Sequence, residues 1–196
     1  MLLALLFIAA PAQHLSALPP DLAKVFKRPG DVVDVIRFQE SAGKTTVDNV
    51  VFVVVETAKN GVGIYGYHFV FDEKREWRQV WKTQDGVFDC ELDQVARYLP
   101  STLDATDLDN NGRFETFFAY ETACHGDVSP TSIKLLMHEG EKKYALRGRS
   151  KVVVDDKGKT EGGDATPDEA FKSAPAAFLK EAKKRFASAL VTATVQ

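Results

Sequence analysis

Between residues 31 and 151, eight candidate strand runs follow one another, the first four rich in Val, Ile, Phe, Tyr and Trp with Gly, Asn or Asp between them. Such a series constrains the chain more than any other feature, because β-branched and aromatic residues with turn formers between them favour strands. The runs are 32–38, 50–57, 64–71 and 77–82, then 103–107, 114–121, 132–138 and 143–149, and a short helical stretch over 92–98 is expected between the two sets. Connections such as 72–75 and 139–141 are hairpin-sized, which favours antiparallel meanders over parallel strands with helical crossovers. With 44% apolar and 27% charged residues in 196, the chain has globular composition, and that length buries roughly 70% of the unfolded surface. A mainly β fold of antiparallel meanders with a short C-terminal helical segment is predicted.

The two sets resemble each other. Phe52-Val-Val-Val-Glu-Thr-Ala-Lys-Asn-Gly61 aligns without gaps on Phe117-Phe-Ala-Tyr-Glu-Thr-Ala-Cys-His-Gly126, with Phe, Glu, Thr, Ala and Gly identical. With a small gap, Trp77 then falls near Tyr144 on the last strand of each set. The match predicts two similar four-stranded, blade-like units. Two blades cannot close a propeller, so a pair of packed or continuous antiparallel sheets is expected.

The ends differ from this body. Residues 2–10 are an unbroken apolar run, followed by Ala10-Pro11-Ala12. The run is too short for the ~20 residues of a membrane span, and it has the length and small-x-small ending of a secretory leader. No Lys or Arg precedes it. Residues 1–12 are read as a signal peptide, with a mature chain starting near Gln13; a buried first strand or helix is the alternative. After the β domain at 13–154, residues 155–165 (DDKGKTEGGDA) read as a flexible linker. In the segment 166–196, Thr166-Pro167-Asp168-Glu169 reads as a capping box. Pro175 should break that helix and start another, with Phe178, Ala182, Phe186 and Ala189 on one face, Leu179 and Leu190 beside them, and Lys180, Lys183, Lys184 and Arg185 outside.

Charge is unevenly distributed. Residues 83–127 hold ten Asp/Glu against Arg97 and Arg113, a net of −8, while the rest of the chain sums to +5. The overall −3 argues against a nucleic-acid binder, which would carry a broad basic surface. Within the acidic segment, Asp107-Leu-Asp109-Asn-Asn111-Gly112-Arg113-Phe114-Glu115 places oxygen side chains at loop positions 1, 3, 5 and 9, with Gly at position 6. That pattern supplies a hard cation with oxygen ligands, the Arg113 carbonyl at position 7 being a further one. A helical EF-hand would need Glu at position 12, where Phe118 stands. Instead Phe114, Thr116, Phe118 and Tyr120 alternate with Glu115, Phe117, Ala119 and Glu121, so the loop runs into a strand. Calcium is the expected ion, bound by Asp107, Asp109, Asn111, Arg113 and Glu115; the alternative is an acidic hairpin turn, since Asp, Asn and Gly also favour turns. The aligned positions in the first set are Ala42, Lys44, Thr46 and Val50, which cannot bind a cation, so one site is expected.

The stretch DLDNNGRFETFFAY resembles the calcium loop of FG-GAP/VCBS-type repeats, where Asp-x-Asp-x-Asp-Gly-x-x-Asp leads into a strand. Asn111 and Glu115 stand in place of two of the usual Asp residues. The wider stretch 89–149, with DLDNNGRFE, ACHGDVSP, IKLLMHEG and KYALRG, is similar to a poorly characterised family of exported bacterial proteins, some labelled surface-polysaccharide biosynthesis proteins. The likeness covers about a third of the chain and implies no catalytic residue.

Cys90 and Cys124 form an even pair, which in an exported chain reads first as a disulfide closing the acidic loop. Buried reduced thiols are the other reading. His14, His68, His125 and His138 make no zinc signature. Ser129 lacks a nucleophile elbow, and nothing places Glu121 and Asp127 across a substrate, so no catalytic residue is assigned. The leading expectation is an exported calcium-binding β-protein acting as an envelope or extracellular binding module. Its partner would be an envelope protein or carbohydrate, with Tyr65, Tyr67, Trp77 and Trp81 as candidate surface aromatics. The alternatives are an enzyme or accessory factor of surface-polysaccharide metabolism, or an inhibitor of a secreted hydrolase using a rigid loop near Gly126-Asp127.

Overall fold

A computed structural model describes residues 11–42 and 45–194. The apolar run 2–10, which carries the leader expectation, and Lys44 of the first set lie outside the described residues. The N-terminal half contains β1 (Gln13–His14), α1 (Pro20–Val25), β2 (Asp31–Ala42), β3 (Thr45–Ala58), β4 (Gly61–Phe71) and β5 (Trp77–Phe88). The five strands form one antiparallel sheet in sequential order. Next come β6 (Gln94–Tyr98), β7 (Asp104–Thr106), β8 (Glu115–Cys124), β9 (Ser132–Glu139), β10 (Lys142–Arg149), β11 (Val152–Val153), β12 (Thr160–Glu161) and β13 (Ala165–Pro167). The second sheet has the order β13-β10-β9-β8-β6, with β7 also paired to β8, while β11 and β12 form a small hairpin. A 3-10 helix (Glu169–Ser173) and α2 (Ala176–Thr194) close the chain. The fold is mainly β and antiparallel, with one long C-terminal helix. None of the described helices is long and apolar enough to cross a membrane.

Apolar residues pack on both faces of the central strands of each sheet, which explains why several strands read as continuous apolar runs instead of alternating ones. In β3, Val51 and Val53 join the core between the sheets, with Ile36, Ile64 and Trp81 of the first sheet and Phe118, Tyr120 and Leu136 of the second. The intervening Val50, Phe52 and Val54 pack outward with Leu22 of α1. Strand β8 divides the same way: Phe118 and Tyr120 face the first sheet, whereas Phe117 and Ala119 face α2. Phe178, Ala182, Phe186 and Ala189 are buried there as the helical spacing predicts. Arg185 lies over the Phe117 ring at 4.3 Å and pairs with Asp104 at 2.7 Å, fixing the docked helix at its basic face.

Four local expectations need correction. Residues 94–98 form a strand, because the edge of β8 offers unpaired amides and carbonyls; Gln94–Tyr98 pairs along Tyr120–Cys124, and the Leu99 N–H continues to the Ala119 carbonyl at 3.0 Å. The capping box does not form. Thr166 and Pro167 belong to β13, and Asp168 precedes a 3-10 turn, its Oδ2 accepting from the Ala145 N–H at 3.0 Å across the sheet. Residues 155–165 contain β12 and start β13, the Val154 N–H donating to the Lys159 carbonyl at 2.8 Å across the turn. Lastly, Tyr65, Tyr67 and Trp81 are core residues. Trp77 is half-buried and donates its indole N–H to Asp21 Oδ2 at 2.9 Å.

Candidate metal centre

The loop between β7 and β8 is organised by its own short side chains. Asp107 accepts from two backbone amides, Asn111 N–H at Oδ1 (3.0 Å) and Gly112 N–H at Oδ2 (3.0 Å). Asp109 Oδ1 accepts from the Asn111 N–H at 3.2 Å. The Arg113 N–H donates to Asn111 Oδ1 at 2.8 Å. Asn110 and Gly112 have positive φ, 59° and 86°, so the turn depends on residues that enter the left-handed region at little cost. Across the sheets, the Phe114 N–H donates to Glu40 Oε1 at 2.7 Å, which ties the loop to β2. Burial raises the Glu40 carboxyl above its ordinary value against that hydrogen bond.

Glu115 is the centre of the cluster. It is fully buried; Oε2 accepts from the Leu108 N–H at 2.7 Å, while Oε1 is buried with no hydrogen-bond partner. Burial, followed by the charges of Asp109, Glu139 and Asp107, pushes its pKa up to about 7; the Leu108 hydrogen bond opposes this. Oxygens of Asp109, Glu115 and Glu139 lie within 4.8 Å of one another. Asn111 Nδ2 bridges two of these acids, at 3.1 Å from Asp109 Oδ2 and 2.8 Å from Glu139 Oε1, so the positive end of the amide dipole lies between them. Three carboxylates, one with a buried oxygen that has no donor, suit a hard cation, whereas Asn111 presents its amide nitrogen to them and gives its oxygen to the Arg113 N–H.

Glu139 is absent from the ligand set expected from the sequence. At the end of β9 it stands directly opposite Glu115 of β8, and like charges placed opposite on a sheet are destabilising unless something between them compensates. Finding it requires the β8–β9 register, which the long connection between Cys124 and Ser132 conceals. Glu40 was equally hidden, since it comes from the other sheet.

Cys90 and Cys124 form a disulfide with Cα atoms 5.9 Å apart, joining the start of the β5–β6 connection to the end of β8. The acidic loop lies wholly within the segment this bond closes. Glu121 is buried in an ion pair with Arg97 and accepts from Thr131 Oγ1 at 3.1 Å, while Asp127 Oδ1 accepts from the Ser129 N–H at 3.0 Å in a turn. His14 bonds to Asp34 at 3.1 Å and His125 lies 3.6 Å from Asp127. His68 and His138 are buried in the inter-sheet core on either side of Trp81, whose ring stacks on His138 at 4.0 Å. No family model matches the chain, and no curated protein or solved structure matches it either.

Proposed function

We propose that the chain is an exported calcium-binding β-protein that acts as a binding or interaction module at the cell envelope or outside the cell. The observation that carries the calcium reading is the buried, unpartnered Oε1 of Glu115 beside Asp109 and Glu139. Asp107, Asp109, the Arg113 carbonyl and Glu115 would hold the ion, with Glu139 as an additional carboxylate and Asn111 as a ligand once its amide turns its oxygen toward the acids. Calcium suits such a flexible set of oxygens, whereas magnesium keeps its waters and demands tighter octahedral geometry. The resemblance of the loop to FG-GAP/VCBS-type repeats points the same way. Export is supported by the Cys90–Cys124 disulfide, since such bonds persist in oxidising compartments, and by the apolar run that ends in Ala10-Pro11-Ala12.

In this reading the ion holds the β7–β8 loop in place and neutralises the acidic segment, which leaves binding to the surfaces around it. Thermal melts in EGTA, Mg²⁺ and Ca²⁺ test the proposal. Calcium at a hundredfold above Kd adds about 2.7 kcal/mol to stability by mass action. A rise in melting temperature with calcium, and little with magnesium, is expected. Identical melts in all three would reduce the loop to an acidic turn.

A further inference from the structure

Phe114 stands between two residues of the candidate calcium set, Arg113 and Glu115, yet its side chain belongs to the core between the sheets. The ring is 5% exposed and stacks on Phe38 of β2, with centroids 5.1 Å apart and 28° between the planes. Its N–H donates to Glu40 Oε1 at 2.7 Å. Phe38 and Glu40 are two residues apart on β2, so they share one face of that strand and hold Phe114 by ring and by backbone. The Ser41 carbonyl, next along β2, lies 3.9 Å from where a Cβ on Gly112 would stand, so the strand also meets the turn itself. Glu40 stands outside the group formed by Asp109, Glu115 and Glu139.

The Phe114 N–H and the Arg113 carbonyl belong to a single peptide group. Among the described residues every peptide bond is trans, and in a planar trans peptide the N–H and the C=O point in opposite directions. With the N–H held on Glu40, the Arg113 carbonyl is fixed pointing away from that carboxylate. A hydrogen bond to an ionised carboxylate is about twice as strong as a neutral one, and it shifts electron density onto the carbonyl of the same peptide group. Both effects improve that oxygen as a ligand for a hard cation. We propose that Glu40 is a positioning residue of the calcium site: reaching across from the first sheet, it holds the Phe114 N–H and so orients the Arg113 carbonyl as a ligand. Calcium binding and the seating of β2 on the loop are then coupled, and the coupling acts in both directions. The ion secures the contact between the two sheets as well as its own loop. This inference rests on the calcium reading and deepens it.

Calorimetric calcium titration of the full chain at pH 7.5, comparing wild type with Glu40→Gln and Glu40→Leu, tests it. Gln keeps an oxygen for the Phe114 N–H, whereas Leu fills the space without one. Expected is a loss of affinity of about tenfold or more in Glu40→Leu, with Glu40→Gln closer to wild type than to Glu40→Leu. Wild-type affinity in Glu40→Leu overturns the proposal. So does Glu40→Gln binding as weakly as Glu40→Leu, which would make the effect one of charge alone. Should Glu40→Leu fail to fold, NMR of the wild type decides. Calcium should move both the amide nitrogen and the amide proton of Phe114 downfield, the nitrogen because a cation on the Arg113 carbonyl drains charge from the shared peptide group, the proton because the bond to Glu40 tightens. Calcium shifts at other loop amides with Phe114 unmoved overturn the proposal and leave the calcium reading standing. Absence of a calcium isotherm in wild type overturns that reading and this inference with it.

Discussion

Glu115 and Glu139 lie directly opposite each other across the β8–β9 ladder, and an amide nitrogen of Asn111 donates to Glu139 at 2.8 Å. Two acids in register at the edge of an acidic loop bring repulsion that the folded chain must offset. Glu139→Gln removes one charge and keeps the acceptor for Asn111. Without calcium the variant should be as stable as wild type or more so, by up to about 1 kcal/mol. With calcium it should lose most of the increase in melting temperature. Glu141→Gln, exposed and two residues away, should keep the full calcium response in the same melts.

A pH prediction follows from Glu115. Its folded pKa is raised to about 7 from an ordinary 4.5, so the folded chain without calcium holds a proton that the unfolded chain releases. That stabilisation is fully present below pH 4.5 and is lost as pH rises through about 7. Bound calcium requires the carboxylate instead, so the stability added by calcium should grow as pH rises from about 5 to above 7. Comparing melts with and without calcium at each pH cancels the other titrating groups. A calcium increment that stays flat across this range would contradict the assignment of Glu115.

His68 and His138 predict the opposite dependence at lower pH. Burial lowers both to about 3, so each stays neutral in the folded chain while the unfolded chain protonates near 6.5. Their contribution to stability is present above pH 6.5 and lost as pH falls toward 3. Acid unfolding in EGTA should be shallower in His138→Phe than in wild type, measured by fluorescence of Trp81, on which His138 stacks.

The Cys90–Cys124 bond closes a segment with a sequence separation of 34. On chain-entropy grounds its loss costs about 3–4 kcal/mol. Cys90→Ser/Cys124→Ser should lower stability by that amount in urea unfolding. In protein recovered from the envelope, non-reducing peptide mapping should find the linked peptides, and intact mass should match a chain that starts near Gln13. Two free thiols, or a retained Met1, would count against export by this route.

Much of this arrangement is legible in the sequence, and the illegible parts share a physical cause. Apolar runs between turn residues, β-branched and aromatic in the first sheet and richer in Phe and Leu in β8 and β9, define the main strands, and the spacing of Phe178, Ala182, Phe186 and Ala189 defines the buried face of α2, because these patterns are local. The stretch 92–98, expected as a short helix, misleads because the open edge of β8 claims Gln94–Tyr98 as a strand. At 166–169 the capping pattern is overridden when Asp168 bonds across the sheet to Ala145. In the candidate metal centre, Asp107 to Glu115 are contiguous and visible, whereas Glu139 and Glu40 arrive through strand register and sheet packing. The sequence match between 52–61 and 117–126 carries no information on the Asn49–His68 hydrogen bond, which forms only once β3 and β4 pair.

Calcium titration by calorimetry, at pH 7.5 on the full chain stripped with EGTA, tests the central claim most directly. The account predicts one ion per chain, much weaker binding of magnesium, and at least a tenfold loss of affinity in both Asp109→Ala and Glu139→Gln. Absence of a calcium isotherm, or equal affinity in wild type and both variants, would contradict it.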